Sequence, residues 1–186
     1  MRKDFFAYSK HAVEALTQEL LIFTEPRSIP VIVCLGTDKV LADALGAIVG
    51  SLLNKQGLST FVYGNLERPI TLANINYCLK FVRAMHPISP IWVIDSATSY
   101  DNRFGVITIS DEFNPFVNTK FVDACKVEAN LFITATVSQA EKRVLFGARL
   151  RVIVQIAEVI TQALCRVFES QDVRVAYKQP CYPLSF

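Results

Sequence analysis

The sequence predicts an α/β fold in which helices cover both faces of a largely parallel sheet. Strand-like apolar runs alternate with helix-like amphipathic stretches three times in the first hundred residues, and the connections have the length that parallel crossovers require. The apolar fraction of 52% and the mean hydropathy of +0.32 are also high for a soluble domain. A sheet whose strands have no face in water accounts for both values.

The length of 186 residues is enough for one domain with a substantial core. No apolar run approaches the roughly 20 residues that a membrane span needs. Charges at Asp4, Lys10 and Glu14 interrupt the N-terminal stretch, which lacks the apolar core of a signal peptide. We therefore expect a cytoplasmic protein, a single α/β domain with an N-terminal helix and connection over residues 1–29 and an extended tail over residues 173–186.

Charge and motif content exclude several classes of function. The formal net charge is +2 with acids and bases interspersed, so we expect no nucleic-acid partner, and no membrane partner is expected either. The five cysteines form neither a CxxC motif nor a zinc-type cluster with histidine, and GxGxxG and GxSxG motifs do not occur. We expect no cofactor and no metal, while the apolar surplus is compatible with a homo-oligomer.

The first predicted element is a helix from residue 4 to about residue 24, with Asp4 as its N-cap. The central unit follows at Val31–Gly50, where a β-branched apolar run ends at Gly36 and a short polar turn leads into an amphipathic helix. Gly57 ends that helix as a C′ residue. Strand, turn and helix together form the first half of a βαβ unit.

The same alternation continues through the rest of the chain. The following elements are a strand at Ser59–Tyr63, a helix at Ala73–Ala84, a strand at Ile91–Ile94, two further strands at Gly105–Ile109 and Leu131–Val137, and a long helix from about Val144 to Glu169. Asp95 is the first polar residue after the strand that begins at Ile91.

Two acids stand out by their positions. Asp43 lies at the start of the helix that follows the first buried strand, and Asp95 lies at the end of the third. If these strands are parallel, their carboxyl ends share the edge where α/β sheets place their sites. Two close carboxylates cannot both ionise cheaply, so such a pair holds one proton for general acid–base work or binds a metal. The alternative interpretations are structural: Asp43 caps its helix, and Asp95 closes a turn.

Four spaced motifs resemble those of the YyaC-type sporulation proteins, which are relatives of the spore germination protease. CLGTDKVLADALG at 34–46 resembles the signature CIGTDRSTGDSLGP, and VYGNLERPITLANI at 62–75 resembles VYGTLDDPVHAKNL. IWVIDSA at 91–97 is similar to IAIDA, and ARLRVIVQIAEVI at 148–160 is similar to TRLxxVMxMAExI. The motifs extend over most of the chain.

This resemblance implies the phosphorylase/hydrolase-like fold, a three-layer α/β/α sandwich with a mostly parallel, mixed sheet, which hydrogenase maturation endopeptidases share. The catalytic aspartates of the germination protease match Asp43 and Asp95. The resemblance therefore implies a peptidase that acts on a protein or peptide substrate in the forespore or mother cell of a spore-forming bacterium.

The same motifs suggest residues for substrate binding. Asp38 matches the acid of the GTD motif, and we assign Thr37 beside it and Asn65 in the second motif to the same role. Lys120 matches a lysine that follows a proline-glycine loop, with a solvated loop lysine as the alternative interpretation.

Several residues depart from the family pattern in the loops expected to rim the site. The segment from Pro69 to Leu72 reads PITL where the family has PVHA and so lacks its histidine, Ala47 replaces a proline, and Phe116 replaces a glycine. A nickel site needs a histidine beside its carboxylates, and His86 precedes the third strand, at the wrong end for Asp95. Two hypotheses follow: an acid-pair peptidase, and a catalytically silent binding or assembly module of the same fold.

Overall fold

The computed structural model describes residues 1–24, 28–99, 103–112, 129–139 and 148–170, which form a mixed six-stranded sheet with four α-helices in a three-layer α/β/α sandwich. The strands are β1 (Arg2–Phe6), β2 (Val31–Cys34), β3 (Val62–Tyr63), β4 (Ile91–Ser99), β5 (Val106–Ser110) and β6 (Leu131–Gln139). The helices are α1 (Ala12–Ile22), α2 (Leu45–Gln56), α3 (Ile75–Met85) and α4 (Leu150–Ser170). The predicted fold class is confirmed.

The strands are ordered β1-β5-β6-β4-β2-β3. Four consecutive strands of the sheet, β6-β4-β2-β3, are parallel to one another. β2 pairs parallel with both β3 and β4, and β6 pairs parallel with β4. The other two pairings, of β5 with β6 and of β1 with β5, are antiparallel. The helices α2 and α3 supply the crossover connections that parallel neighbours require.

Alternate residues of each strand enter two separate cores. Ile32, Cys34 and Trp92 pack with α1, α2 and α4 on one face of the sheet. Val31 and Val33 pack with α3 on the other face. All four residues of β2 are therefore buried, as the sequence predicts for a strand without a face in water.

The N-terminal segment corrects the sequence prediction, since Arg2–Phe6 is a strand and α1 begins only at Ala12. Asp4 does not cap a helix: its carboxylate accepts a hydrogen bond from the Thr108 hydroxyl at 2.6 Å and forms an ion pair with Arg103. The segment is extended because it pairs along its whole length with β5. That pairing joins residues about a hundred positions apart, which local patterning does not reveal.

Several element ends also differ from the predicted ones. β3 contains only Val62–Tyr63, and β4 continues past Ile94 to Ser99, because β6 pairs along its whole length with a register shift after Ala97. Asp95 therefore lies within β4 rather than at its end. α4 begins at Leu150; residues 144–147 and the predicted tail at 173–186 lie outside the described residues.

The ends of α2 and α3 agree closely with the prediction. α2 stops before Gly57, which adopts a left-handed conformation with φ of +63°. None of the helices described in the structure is both long and apolar enough to cross a membrane.

Candidate active site

The loop after β2 folds back on itself and brings Asp43 to the carboxyl end of that strand. Gly36 starts the loop with φ of +134°, and a Cβ atom there would lie 2.0 Å from the carbonyl oxygen of Asp43. The amide of Thr37 donates a hydrogen bond to the same oxygen at 2.9 Å. A glycine at position 36 thus permits a close approach that no side chain would allow.

Asp43 ends a single 3-10 turn, Leu41–Asp43, just before α2. In the described part of the chain, the N-cap of α2 is Ala44 and it receives no side-chain capping bond, so the capping interpretation of Asp43 is not supported. Its half-buried carboxylate instead accepts a hydrogen bond from the side chain of Ser96. Burial raises the pKa of Asp43 to about 6, and the Ser96 bond partly opposes that shift.

Asp95 lies in β4 just past the end of its pairing with β2. The last backbone bond between the two strands runs from the Leu35 amide to the Ile94 carbonyl at 2.8 Å, and β6 flanks Asp95 on the other side. The Asp95 side chain is buried, with 5% of the residue exposed, and one carboxyl oxygen accepts the Ser96 amide at 2.7 Å. The turn interpretation of Asp95 is therefore also not supported.

The two carboxyl groups interact electrostatically. Burial raises the pKa of Asp95 well above its usual range, and the neighbouring charge of Asp43 raises it further. Hydrogen bonds from Ser96 act in the opposite direction: its side chain lowers the pKa of Asp43, and its backbone amide lowers the pKa of Asp95. This environment therefore disfavours the simultaneous ionisation of the two carboxyl groups.

The other predicted site residues lie in the neighbouring loops. Thr37 and the exposed Asp38 lie in the loop after β2, with 3.5 Å between the Thr37 hydroxyl and an Asp38 carboxyl oxygen. Asn65 follows β3, and its side-chain oxygen accepts the amides of Glu67 and Arg68 at 2.9 and 2.7 Å. The candidate Lys120 lies outside the described residues, as does Phe116.

Sequence reasoning missed an open cleft of about 740 Å³ beside this loop. Thr37, Lys39 and Val40 line it from the loop after β2, and Arg68 and Ile70 line it from the loop after β3. The only sequence signal at Lys39 and Arg68 is that both follow predicted strands, which does not reveal that their loops meet. Ser96 was also missed, although it comes directly after a predicted site residue.

Metal-binding side chains do not cluster in the described ranges: no group of three or more His, Cys, Asp or Glu residues there is placed to hold an ion. His86 follows α3, at the amino end of β4, where its ring lies 2.9 Å from the Tyr63 hydroxyl and packs against Phe61 at 4.5 Å between ring centroids. His86 therefore contributes to packing at the end of the sheet opposite the carboxyl end of β2.

A family described as "Protein of unknown function (DUF1256)" matches residues 4–163. The chain is also 28% identical over 139 residues to the "Uncharacterized protein YyaC" of Bacillus subtilis strain 168. The matched region covers 72% of this chain and 67% of that protein. The resemblance found in the motifs is thereby confirmed.

Two solved structures are similar to this chain at low sequence identity. A [NiFe] hydrogenase maturation protease, HycI from Thermococcus kodakarensis KOD1, superposes with a TM-score of 0.55 at 15% identity, covering 81% of this chain and 99% of that one. A peptidyl-tRNA hydrolase in complex with N-propanol gives a TM-score of 0.49 at 16% identity, covering 82% of this chain and 97% of that one. The first of these supports the α/β/α architecture.

Proposed function

Since the chain belongs to the DUF1256 family of unknown function, we propose that it is a peptidase that hydrolyses a protein or peptide substrate, with Asp43 and Asp95 as an acid pair. The fold of a maturation protease and the relationship to YyaC support a peptidase-type framework. The motif resemblance supports a role in sporulation or germination, in the cytoplasm of the forespore or mother cell.

The observation that carries the proposal is the unequal environment of two interacting carboxyl groups. Burial and the charge of Asp43 raise the pKa of Asp95 well above its usual range, whereas burial raises the pKa of the half-buried Asp43 to about 6. Environments that separate the pKa values of two titratable groups distinguish a general acid from a general base. One group is therefore prepared to donate a proton and the other to accept one.

The proposed reaction follows from these two states. Asp43 takes a proton from water as the water oxygen bonds to the peptide carbonyl carbon, and Asp95 donates its proton to the carbonyl oxygen. The tetrahedral intermediate then collapses: the C–N bond breaks, Asp43 gives its proton to the leaving amine, and the former carbonyl oxygen returns its proton to Asp95. Ser96 steadies the Asp43 carboxylate throughout.

The neighbouring loops are proposed to hold the substrate. Thr37 and Asp38 present hydroxyl and carboxyl oxygens from the loop that carries Asp43. Asn65 acts by fixing the turn that carries Arg68. Lys120 is retained as a substrate-binding candidate on the family resemblance alone.

The decisive experiment is incubation with total spore protein, comparing the wild type with Asp43→Asn and Asp95→Asn. General acid–base groups typically contribute about 10²–10⁴-fold to rate, so each substitution should abolish detectable cleavage. The double variant should be no worse than either single one, because the groups act as a unit. Glu158→Gln, an exposed carboxylate on α4, is the matched control.

Cleavage by the wild type that survives both substitutions would exclude the acid-pair mechanism. Circular dichroism of the variants must show that they remain folded.

The second candidate function is a catalytically silent binding or assembly module, self-association included. Leu72 favours it, because this apolar residue is exposed in the loop before α3, where it can contact a partner. Selective binding of a spore protein without cleavage would support the module.

A further inference from the structure

The cleft beside the Asp43 loop combines positive charge with an apolar surface. We propose that it binds an acidic side chain of the protein substrate between Lys39 and Arg68, and so selects where the chain is cut; this rests on the proposed peptidase function. The cleft begins at Thr37, whose amide is bonded to the Asp43 carbonyl oxygen, so it adjoins the segment that carries the proposed base.

The charge of the cleft is not balanced by its own lining. Lys39 and Arg68 both contribute to the lining, while the acidic residues next to them in the chain, Asp38 and Glu67, do not. Within the described residues neither cation forms an ion pair. Positive charge in a concave site with low-dielectric walls attracts anions and raises their local concentration.

The apolar part of the lining indicates what kind of anion fits. Val40, Pro69, Ile70 and Cys78 present hydrophobic surface inside the cleft. A small inorganic ion would leave these walls in contact with water, whereas a glutamate within a short apolar segment would cover them. The volume of about 740 Å³ lies within the range of about 300–1,000 Å³ for ligand pockets and accommodates such a segment.

Hydrogen bonds hold the walls of the cleft in place. The Asn74 side chain accepts the Thr71 amide at 2.7 Å and donates to the Pro69 carbonyl at 3.1 Å, which fixes the loop before α3. Asn65 fixes the turn that carries Arg68 in a similar way. The backbone of the cleft is therefore prepared for binding, and only the long cationic side chains need to become ordered.

The test measures binding separately from hydrolysis. The probes are fluorescein-labelled Gly-Leu-Glu-Leu-Gly and its Gln and Lys analogues, titrated by fluorescence anisotropy. Because exposed ion pairs are individually weak, we expect the Glu peptide to bind about three- to tenfold more tightly than the Gln peptide at low salt. Combining Lys39→Glu with Arg68→Glu should reverse the order and favour the Lys peptide.

Lys80→Glu is the matched control, because Lys80 is an exposed cation of α3 outside the cleft lining, and it should leave the preference unchanged. Alkylation of Cys78 locates the binding, since the Glu peptide should slow its reaction with iodoacetamide. Asp43→Asn combined with Asp95→Asn should keep the Glu preference. Loss of cleavage with the preference intact thus tests the hydrolase separately from the cleft.

Three results would overturn the proposal: equal affinity for the Glu and Gln peptides, a Glu preference that survives the charge reversal, or an unchanged rate of Cys78 alkylation. Displacement of the Glu peptide by inorganic phosphate at a similar concentration would also contradict it, because that outcome would assign the cleft to free anions. Each readout is independent of whether the wild type cleaves any substrate.

Discussion

Ser96 links the two carboxyl groups through different atoms. Its side chain bonds to Asp43 and its backbone amide bonds to Asp95 at 2.7 Å, so one residue contacts both carboxyl groups. Consecutive residues of a strand point to opposite faces, and the side chains of Asp95 and Ser96 therefore leave β4 in opposite directions. The Asp43 loop comes close to both because it wraps around the end of β2.

The raised pKa values predict a pH-dependent cost to stability. The folded protein binds protons at these groups more tightly than the unfolded chain, so their contribution to stability is fully present below the unfolded value of 3.8. It is lost as the pH rises through about 6 for Asp43. As the pH rises from about 4 to about 7, the free energy of unfolding of Asp43→Asn should therefore increase by about 1–2 kcal/mol relative to that of the wild type.

Urea unfolding of wild type and Asp43→Asn at both pH values measures this difference. Asp38→Asn, which removes an exposed carboxylate from the same loop, is the matched control and should show no such change. A difference between wild type and Asp43→Asn that is constant with pH would contradict the raised pKa.

At the scale of elements, the loop between β2 and α2 depends on two glycines in different ways. Position 36 requires glycine because its φ is positive and because a Cβ atom there would collide with the carbonyl oxygen of Asp43. Gly46 is required because a Cβ atom there would lie 1.9 Å from the Leu35 carbonyl oxygen, where α2 crosses the end of β2. Both contacts hold the start of α2 against the carboxyl end of β2, beside the part of β4 that carries Asp95.

This dependence predicts that Gly36→Ala will damage the site and the fold together. The added methyl group would force the loop away from the Asp43 carbonyl, and we expect a loss of about 2–4 kcal/mol in unfolding free energy. Gly57→Ala is the matched control, because position 57 also has a positive φ but its Cβ would meet no atom of the described residues within 4 Å. That variant should lose only about 1 kcal/mol.

Urea denaturation of both variants, with the m-value checked for two-state behaviour, provides the comparison. Equal losses at the two positions would show that the close approach to Asp43 contributes nothing beyond backbone strain.

The elements that the sequence predicted well are those specified by local signals. α2 is defined by an apolar stripe and a C-terminal glycine, and it ends where Gly57 predicts. By contrast, β1 and the second half of β4 form because distant strands supply their hydrogen bonds. Asp4 in particular has the residue type of an N-cap, and only its pairing partner in β5 explains why it is extended.

At the scale of the whole molecule, the strand order places the candidate site at a change of direction. The chain goes from β2 to β3 through α2 on one face of the sheet, and returns from β3 to β4 through α3 on the other. β2 and β4 are neighbours, and the next strands in the chain lie on opposite sides of this pair, β3 beside β2 and β5 beyond β6. This is the arrangement that opens a crevice in α/β sheets. Asp43 and Asp95 lie on the two sides of this point.

The sequence indicated this position from two parallel strands, but it did not indicate the cleft. The positions of Lys39 and Arg68 depend on the pairing of β2 with β3 and on the turn that Asn65 closes. These are tertiary contacts of loops, for which neither periodicity nor composition carries information. Asp43 and Asp95 could be singled out because polar residues that follow buried apolar runs are recognisable in the sequence, whereas loop paths are not.

The far edge of the sheet should show the opposite pH dependence from the candidate site. Hydrogen bonds from Thr108 and Arg103 lower the pKa of Asp4, against the effect of its burial. A lowered pKa contributes stability that is present above the unfolded value of 3.8 and lost as the pH falls through the folded value. Asp4→Asn should therefore cost about 0.5–1.5 kcal/mol at neutral pH and progressively less below about pH 4.

Asp4 and Asp43 thus make contributions of opposite sign to the same stability curve. Ionised Asp4, on the edge strand β1, stabilises the fold. Ionisation of the acids at the carboxyl ends of β2 and β4 destabilises it, as expected where a site is retained at the expense of stability. Thr108→Val, which removes the 2.6 Å bond to Asp4, should reproduce part of the Asp4→Asn loss without affecting peptide preference in the cleft. If Asp4→Asn instead costs the same at all pH values, its role at this edge is packing rather than charge.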